Sequence, residues 1–263
     1  MSRILILIFL FSTVAFADTD WRSTLSPATP GKIPMPRPFV ATYGFGWAGL
    51  TAGRADATFS RQSGSRLRLE VKGGTTGIVR VLWHMDAQHT SIANASTLLP
   101  VSMRQEEIYS GETLKTELNF TGNAVTGTIR KTSADKTSLR QVHYVFPALR
   151  DMHTALLFVG SQKLEPGQTF NFVVYPATSP FLVTAHVVGK EKVEVPAGNY
   201  NSTRVDLRLW KITKDFHLEP PPKCKHAIVW VSDDADRLPL KAEADVFIGS
   251  VWGELEKVRF LKP

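Results

Sequence analysis

Cysteine is all but missing from this 263-residue chain: Cys224 stands alone, so no disulfide can form within it and burial must hold the core together. Long apolar runs are as scarce. Ile4 to Phe11 is an unbroken one, too short to span a bilayer comfortably, and nothing after it is long enough. With Arg3 ahead of it and Ala15-Phe16-Ala17 behind it, this stretch reads as a cleavable signal peptide, residues 1–17, cut near Ala17. The expected location is the periplasm, with no transmembrane segment in the mature chain. A lipid anchor would need a cysteine straight after the cut, and Asp18 stands there instead. Taking 17 residues from 263 leaves 246, a length that suits one large β domain or two modest ones.

The signatures of chemistry are missing too. No Gly-x-Ser-x-Gly, phosphate-cradling loop or dinucleotide fingerprint occurs. Ser133-Ala134-Asp135-Lys136 fits a serine-x-x-lysine pattern, but it falls in a polar hairpin link and has no Lys-Thr-Gly partner. His84 and His89 are five apart, which on a strand points them to opposite faces. Asp233, Asp234 and Asp236 lack the spaced ligands, central glycine and distal glutamate of a calcium loop, so they read as a hairpin turn bonding its own backbone, with Arg237 offsetting charge. Cys224, beside Lys223, Lys225 and His226 in a proline-rich loop, reads as an incidental exposed thiol. Asp151 reads as a helix cap and His153 as part of an exposed face. No catalytic residue, metal site or cofactor is therefore expected.

Charge excludes little. Lys and Arg number 31 against 24 acidic residues, a net +7, which becomes +6 once Arg3 is removed with the signal. That balance suits anionic lipid or acidic glycan as well as plain solubility. No basic stripe with interleaved aromatics marks a nucleic-acid surface.

What is present is mostly strand. Asp18 to Pro38, with Pro27, Pro30, Pro34, Pro36 and Pro38, reads as an extended, mobile leader that tethers or spaces rather than packs. From Phe39 onward the pattern alternates, most clearly in Arg66 to Lys72, where Leu67, Leu69 and Val71 share one face and charged residues the other. Short polar links such as Ser110-Gly111-Glu112 and Thr121-Gly122-Asn123 predict antiparallel hairpins between sequence neighbours. Thr76 to Leu82 reads as a short helix or bend, Phe181 to Val188 and Glu191 to Val195 as separate strands, and Lys211 to His226 as an exposed loop. About a dozen strands follow from these signals, and a sheet that wide must curl, split or close.

One stretch breaks the alternation. In Pro147 to Gly160, Leu149, Met152, Leu156 and Val159 recur at helical spacing, with Ala155 on the same face and Phe158 widening it. Asp151 can accept first-turn amides, and Gly160 can close the end in a left-handed conformation. So short a helix is marginal in water and must lie against sheet. The predicted fold is mainly β: a curved antiparallel sheet or open half barrel wrapped around this one central helix, formed by a single domain over residues 39–263.

Three stretches together resemble the periplasmic family filed as domain of unknown function 3108. They are Gly49-Leu50-Thr51-Ala52-Gly53 at the end of the Tyr43 strand, the turn Val195-Pro196-Ala197-Gly198-Asn199-Tyr200, and Ile228 to Asp234 running through Arg237-Leu238-Pro239 to Ile248-Gly249-Ser250-Val251. The resemblance covers about Phe39 to Phe260. In one departure, Asp151 is kept but Gly160 to Lys163 replaces the basic end of the family's helix. The resemblance implies an exported β-rich protein with a curved sheet, similar in outline to the open barrels of periplasmic lipoprotein carriers, and implies no established reaction.

Aromatics suggest where such a protein would work. Tyr43, Phe45 and Trp47 share a face, as do Phe170, Phe172 and Val174, and a wide sheet under one short helix has more apolar surface than that helix covers. The expected function is a non-enzymatic binder sheltering a lipid, a lipid-modified molecule or another apolar ligand, lined by Phe45, Trp47, Leu156, Phe158 and Phe172. The alternative is an envelope assembly or scaffold protein acting through protein contacts, using sheet edges, the leader and the loop Lys211 to His226.

Overall fold

The computed structural model describes residues 20–221, 224–246 and 249–262. The expected signal peptide, the Asp18 behind it and Lys223 lie outside the described residues, as does the side chain of Lys225. The first half runs β1 (Phe39–Trp47), β2 (Leu50–Gln62), β3 (Arg66–Thr75), α1 (Gly77–Leu82), β4 (Met85–Asn94) and β5 (Pro100–Tyr109). It continues through β6 (Glu112–Thr121), β7 (Ala124–Thr132) and β8 (Thr137–Val145) to α2 (Met152–Ser161). The second half holds β9 (Thr169–Val174), β10 (Phe181–Val195), β11 (Gly198–Ile212) and β12 (Leu218–Glu219). It ends with β13 (Cys224–Ser232), β14 (Pro239–Val246) and β15 (Gly249–Phe260).

All fifteen strands join one sheet in the order β8-β7-β6-β5-β4-β3-β2-β1-β15-β14-β13-β11-β10-β9, with β12 added beside β11. The pairs along that order are antiparallel, and β8 and β9 are its ends, so the sheet is open. The alternation that makes the strands also gives the sheet its two faces: in β6, Thr116, Leu118 and Phe120 are buried while Glu117, Asn119 and Thr121 are exposed. One hydrophobic cluster joins Met103, Leu118, Val125 and Val142 of β5 to β8 to Val173, Leu182 and Ile212 of β9 to β11, so the two arms of the sheet curl until their inner faces meet. A second cluster sets Phe39, Phe59, Leu67 and Ala93 against Val193, Val195, Leu240 and Leu255. Beyond the open edge, Arg150 bridges to Val174: its N–H donates to the Val173 carbonyl at 3.0 Å and its carbonyl accepts from Tyr175 N–H at 2.7 Å.

Four expectations change. The proline-rich leader packs. Trp21 is buried, stacks on Phe146 at 5.6 Å and donates its indole N–H to the Phe216 carbonyl, while Ile33 N–H donates to the Ser161 carbonyl at 3.1 Å and Arg37 pairs with Asp236. Proline removes helical periodicity but not the ability to lie extended in a groove, which is why composition alone misjudged this segment. The predicted strands Phe181 to Val188 and Glu191 to Val195 are one strand, β10, whose ladder with β11 continues past a bulge between Val187 and Gly189. The loop Lys211 to His226 carries β12 and the start of β13, and Phe216 packs among Trp21, Tyr144 and Phe146. Lastly, Gly160 does not close the helix, because α2 runs on to Ser161 and ends on Gln162 in an extended conformation. Asp151 does cap α2: its carboxylate accepts from Thr154 N–H at 2.7 Å, and Thr154 Oγ1 accepts from Asp151 N–H at 3.0 Å.

Candidate binding cavity

α2 has two inward faces. Thr154, Phe158 and Ser161, with Val159 beside them, are buried, Phe158 and Val159 against Val183, Ala185, Val205 and Val229 of the sheet. His153, Leu156, Leu157 and Gly160, at i, i+3, i+4 and i+7, form a second stripe, and this one borders a cavity of about 350 Å³. The opposite walls are Phe39 and Tyr43 of β1, Ala55, Ala57 and Phe59 of β2, and Leu69 and Val71 of β3. Period-two alternation aims those β2 side chains inward together. Pro34, Met35 and Pro36 of the N-terminal strap close one side, and Pro239, Ala242 and Gly253 another.

The few polar groups on the lining are mostly engaged. Tyr43 donates its hydroxyl to the Pro239 carbonyl at 2.9 Å, and burial pushes its pKa up. Lys241 Nζ sits 3.0 Å from both Glu243 and Glu254. The Arg37 guanidinium holds the Asp236 carboxyl below its usual range, and Arg237 Nη1 lies 3.1 Å from Asp233. Two buried nitrogens on the lining have no partner among the described residues: His153 Nε2 and Arg237 Nε. Burial pushes the His153 pKa down, and nearby His89 adds to this while Asp151 opposes it.

The cap of α2 is a buried polar knot at the edge of this site. Ser91 Oγ donates to Asp151 Oδ2 at 2.5 Å, and His89 Nε2 lies 2.9 Å from Glu107 Oε1. Arg150 stacks its guanidinium 3.8 Å above the Phe158 ring and donates to the carbonyls of Leu98 and Ala28, at 3.0 and 2.7 Å. Burial lowers its pKa to about 10 against the pull of Asp151. The Ser91 hydroxyl is committed to the Asp151 carboxylate, whose other oxygen caps the first turn of α2.

The expected site residues are scattered. Leu156 borders the cavity and is 43% exposed. Phe158 and Phe172 meet edge to face at 5.4 Å, buried in the cluster behind α2. Phe45 lies close against Gly53, where a Cβ would run into its ring, and Trp47 is 44% exposed at the end of β1. His153, read as part of an exposed face, is buried. Met35, Phe39, Tyr43, Phe59, Leu69 and Leu157 line the hollow and were not among the expected lining residues. Phe59 and Leu69 carried a signal in the inward alternation of β2 and β3; Met35 gave none, since its segment reads as unpacked. Asp233, Asp234 and Asp236 form the expected turn, in which Asp234 Oδ1 accepts from the N–H groups of Asp236 and Arg237. Cys224 lies in β13 opposite Val246 and not in a loop; it is half-buried, and burial raises its thiol pKa.

A family model described as protein of unknown function (DUF3108) matches residues 39–256. No curated protein matches the chain. Among solved structures, a β-barrel-like protein of domain of unknown function DUF1849 from Brucella abortus is similar in fold, with a TM-score of 0.57 at 11% identity, over 88% of this chain and 100% of that one. Two others cover 88% of this chain and 99% of their own at a TM-score of 0.34: a candidate lipoprotein from Parabacteroides distasonis at 10% identity, and a candidate exported protein with a YmcC-like fold from Bacteroides fragilis at 11%. Among the described residues, no helix is long and apolar enough to cross a membrane.

Proposed function

Because the chain belongs to the DUF3108 family of proteins of unknown function, we propose from its own geometry that it is a non-enzymatic binding protein that shelters one apolar chain in the hollow beside α2. The observation that carries this reading is the second apolar stripe of α2, which meets an empty hydrocarbon-walled space where the first stripe meets packed sheet. Protein interiors are close-packed, and ligand sites of this kind run from about 300 to 1,000 Å³. At about 350 Å³ this hollow suits a single acyl chain better than a multi-chain lipid. In this reading the curled sheet is a half barrel wrapped around α2, the strap of Pro34 to Pro36 covers the ligand, and residues 1–17 direct the protein to the periplasm.

The test is native mass spectrometry and solvent extraction of the protein purified from periplasm, beside Leu156→Asp. A bound acyl compound in the wild type, absent from a folded Leu156→Asp, is the expected result. A wild type that carries nothing and displaces no fluorescent fatty acid would end the proposal. A scaffold role has one observation of its own: the edge strand β8 leaves Leu139 and Val145 more than half exposed, which suits an added strand from a partner protein.

A further inference from the structure

We infer that the end of the sheet carrying α1 docks on a glycerophospholipid bilayer with anionic headgroups. Of the twelve large hydrophobic side chains left exposed among the described residues, six fall in two short segments, 47–50 and 78–83. Those segments are neighbours: within the first, Trp47 and Leu50 face each other across the β1–β2 turn, and Thr76 N–H donates to the Ala52 carbonyl at 2.9 Å, setting α1 beside the start of β2. α1 has only six residues and buries none of them, although Ile78, Val79, Val81 and Leu82 are all apolar. So short a helix is marginal in water, and its place beside the start of β2 leaves none of its residues buried.

The composition of the patch identifies the occupant. Val81, Leu82, Ile78 and Leu50 are 81, 80, 74 and 64% exposed; the indoles of Trp83 and Trp47 come next at 47 and 44%. Around them stand the guanidinium groups of Arg80 and Arg54, each paired with an acid but still 42 and 60% exposed. Exposed aliphatic side chains together with indoles and guanidinium groups are the composition of a surface that enters the interfacial layer of a bilayer. The mature chain's net charge of +6, the full chain's +7 less Arg3, draws it to an anionic surface. A protein partner would need a broad complementary face, whereas these residues project from one short helix and the ends of two strands.

The inference stands apart from the cavity reading, since none of these six residues borders the hollow. The test floats the full mature chain with vesicles of phosphatidylcholine and phosphatidylglycerol, beside Val81→Asp/Leu82→Asp. Both positions are so exposed that the variant should melt with the wild type. The expected result is wild-type flotation with a blue shift of tryptophan emission, and a loss of binding of about a hundredfold or more in the variant, as two lost aliphatic contacts imply. A wild type that stays at the bottom, or a variant that floats as well, overturns the inference. So does a wild-type dimer in sedimentation that the double variant makes monomeric, because the patch would then belong to a second copy. A Leu156→Asp protein that is empty yet still floats would separate the two readings.

Discussion

The two faces of α2 have nearly the same greasy composition and opposite fates. Phe158 and Val159 lie against four strands of sheet, and the Arg150 guanidinium closes over the Phe158 ring. Leu156 and Leu157, a third of a turn away, look across a hollow to Phe59 and Met35. Hydrophobicity alone therefore does not decide what packs; the shape of the opposing wall does. On the cavity side the strands offer Ala55 and Ala57, too small to reach the helix, whereas on the packed side β-branched valines do reach it.

Truncation tests this contrast most sharply. Phe158→Ala should cost about 3 to 5 kcal/mol, since it empties a filled space and strands the Arg150 stack. Leu156→Ala, already bordering empty space, should cost roughly 1 kcal/mol or less. Urea denaturation at fixed m-value measures both, and equal losses would mean that the two faces are equally packed.

A second test opens the hollow without touching its walls of sheet. Gly31 N–H donates to Ser161 Oγ at 3.0 Å, and a Cβ at Gly31 would meet the Ser161 carbonyl oxygen head-on. Gly31→Ala should therefore lift the strap at a cost of about 1 to 3 kcal/mol. Proteolysis between Ala28 and Pro38 should speed up while the sheet's amides keep their protection from hydrogen exchange. Unchanged cleavage would show that the strap is held elsewhere, by Trp21 and Arg37.

Much of this was legible in the residues. Period-two alternation gave most strands, the Asp151 side chain gave the cap, and α1 falls where a short helix or bend was expected, because all of these depend on neighbours in sequence. Strand number alone left a choice among curling, splitting and closing. What could not be read was which arm of the sheet faces which, and that pairing decides whether Phe158 or Leu156 is the filled side. The helix pattern treated Leu149, Met152, Leu156 and Val159 as one stripe, yet Met152 is 45% exposed and Leu149 lies before the helix. The strap was missed for a related reason: its contacts, Ala28 to Arg150 and Ile33 to Ser161, reach more than a hundred residues along the chain.

The smallest expected effect belongs to His153, which sits where the two faces join. Its folded pKa lies below the ordinary 6.5, burial being the main cause, so below pH 6.5 the unfolded chain takes up a proton that the folded one refuses. Stability from this group is thus intact above pH 6.5 and falls as pH drops from there toward the lowered folded value, by at most about 1.4 kcal/mol per pH unit. The groups that face it are Asp151, which opposes the shift, and His89, which reinforces it and is itself paired with Glu107. Carboxylates such as Glu107 and Asp236, whose pKa values are lowered from 4.5 and 3.8, act only in more acidic solution. Urea midpoints taken between pH 7.5 and 5 should therefore decline in the wild type and stay nearly level in His153→Leu. Parallel declines would place the responsible proton on another group, and an apolar ligand that flattened the wild-type slope would tie His153 to the occupied hollow.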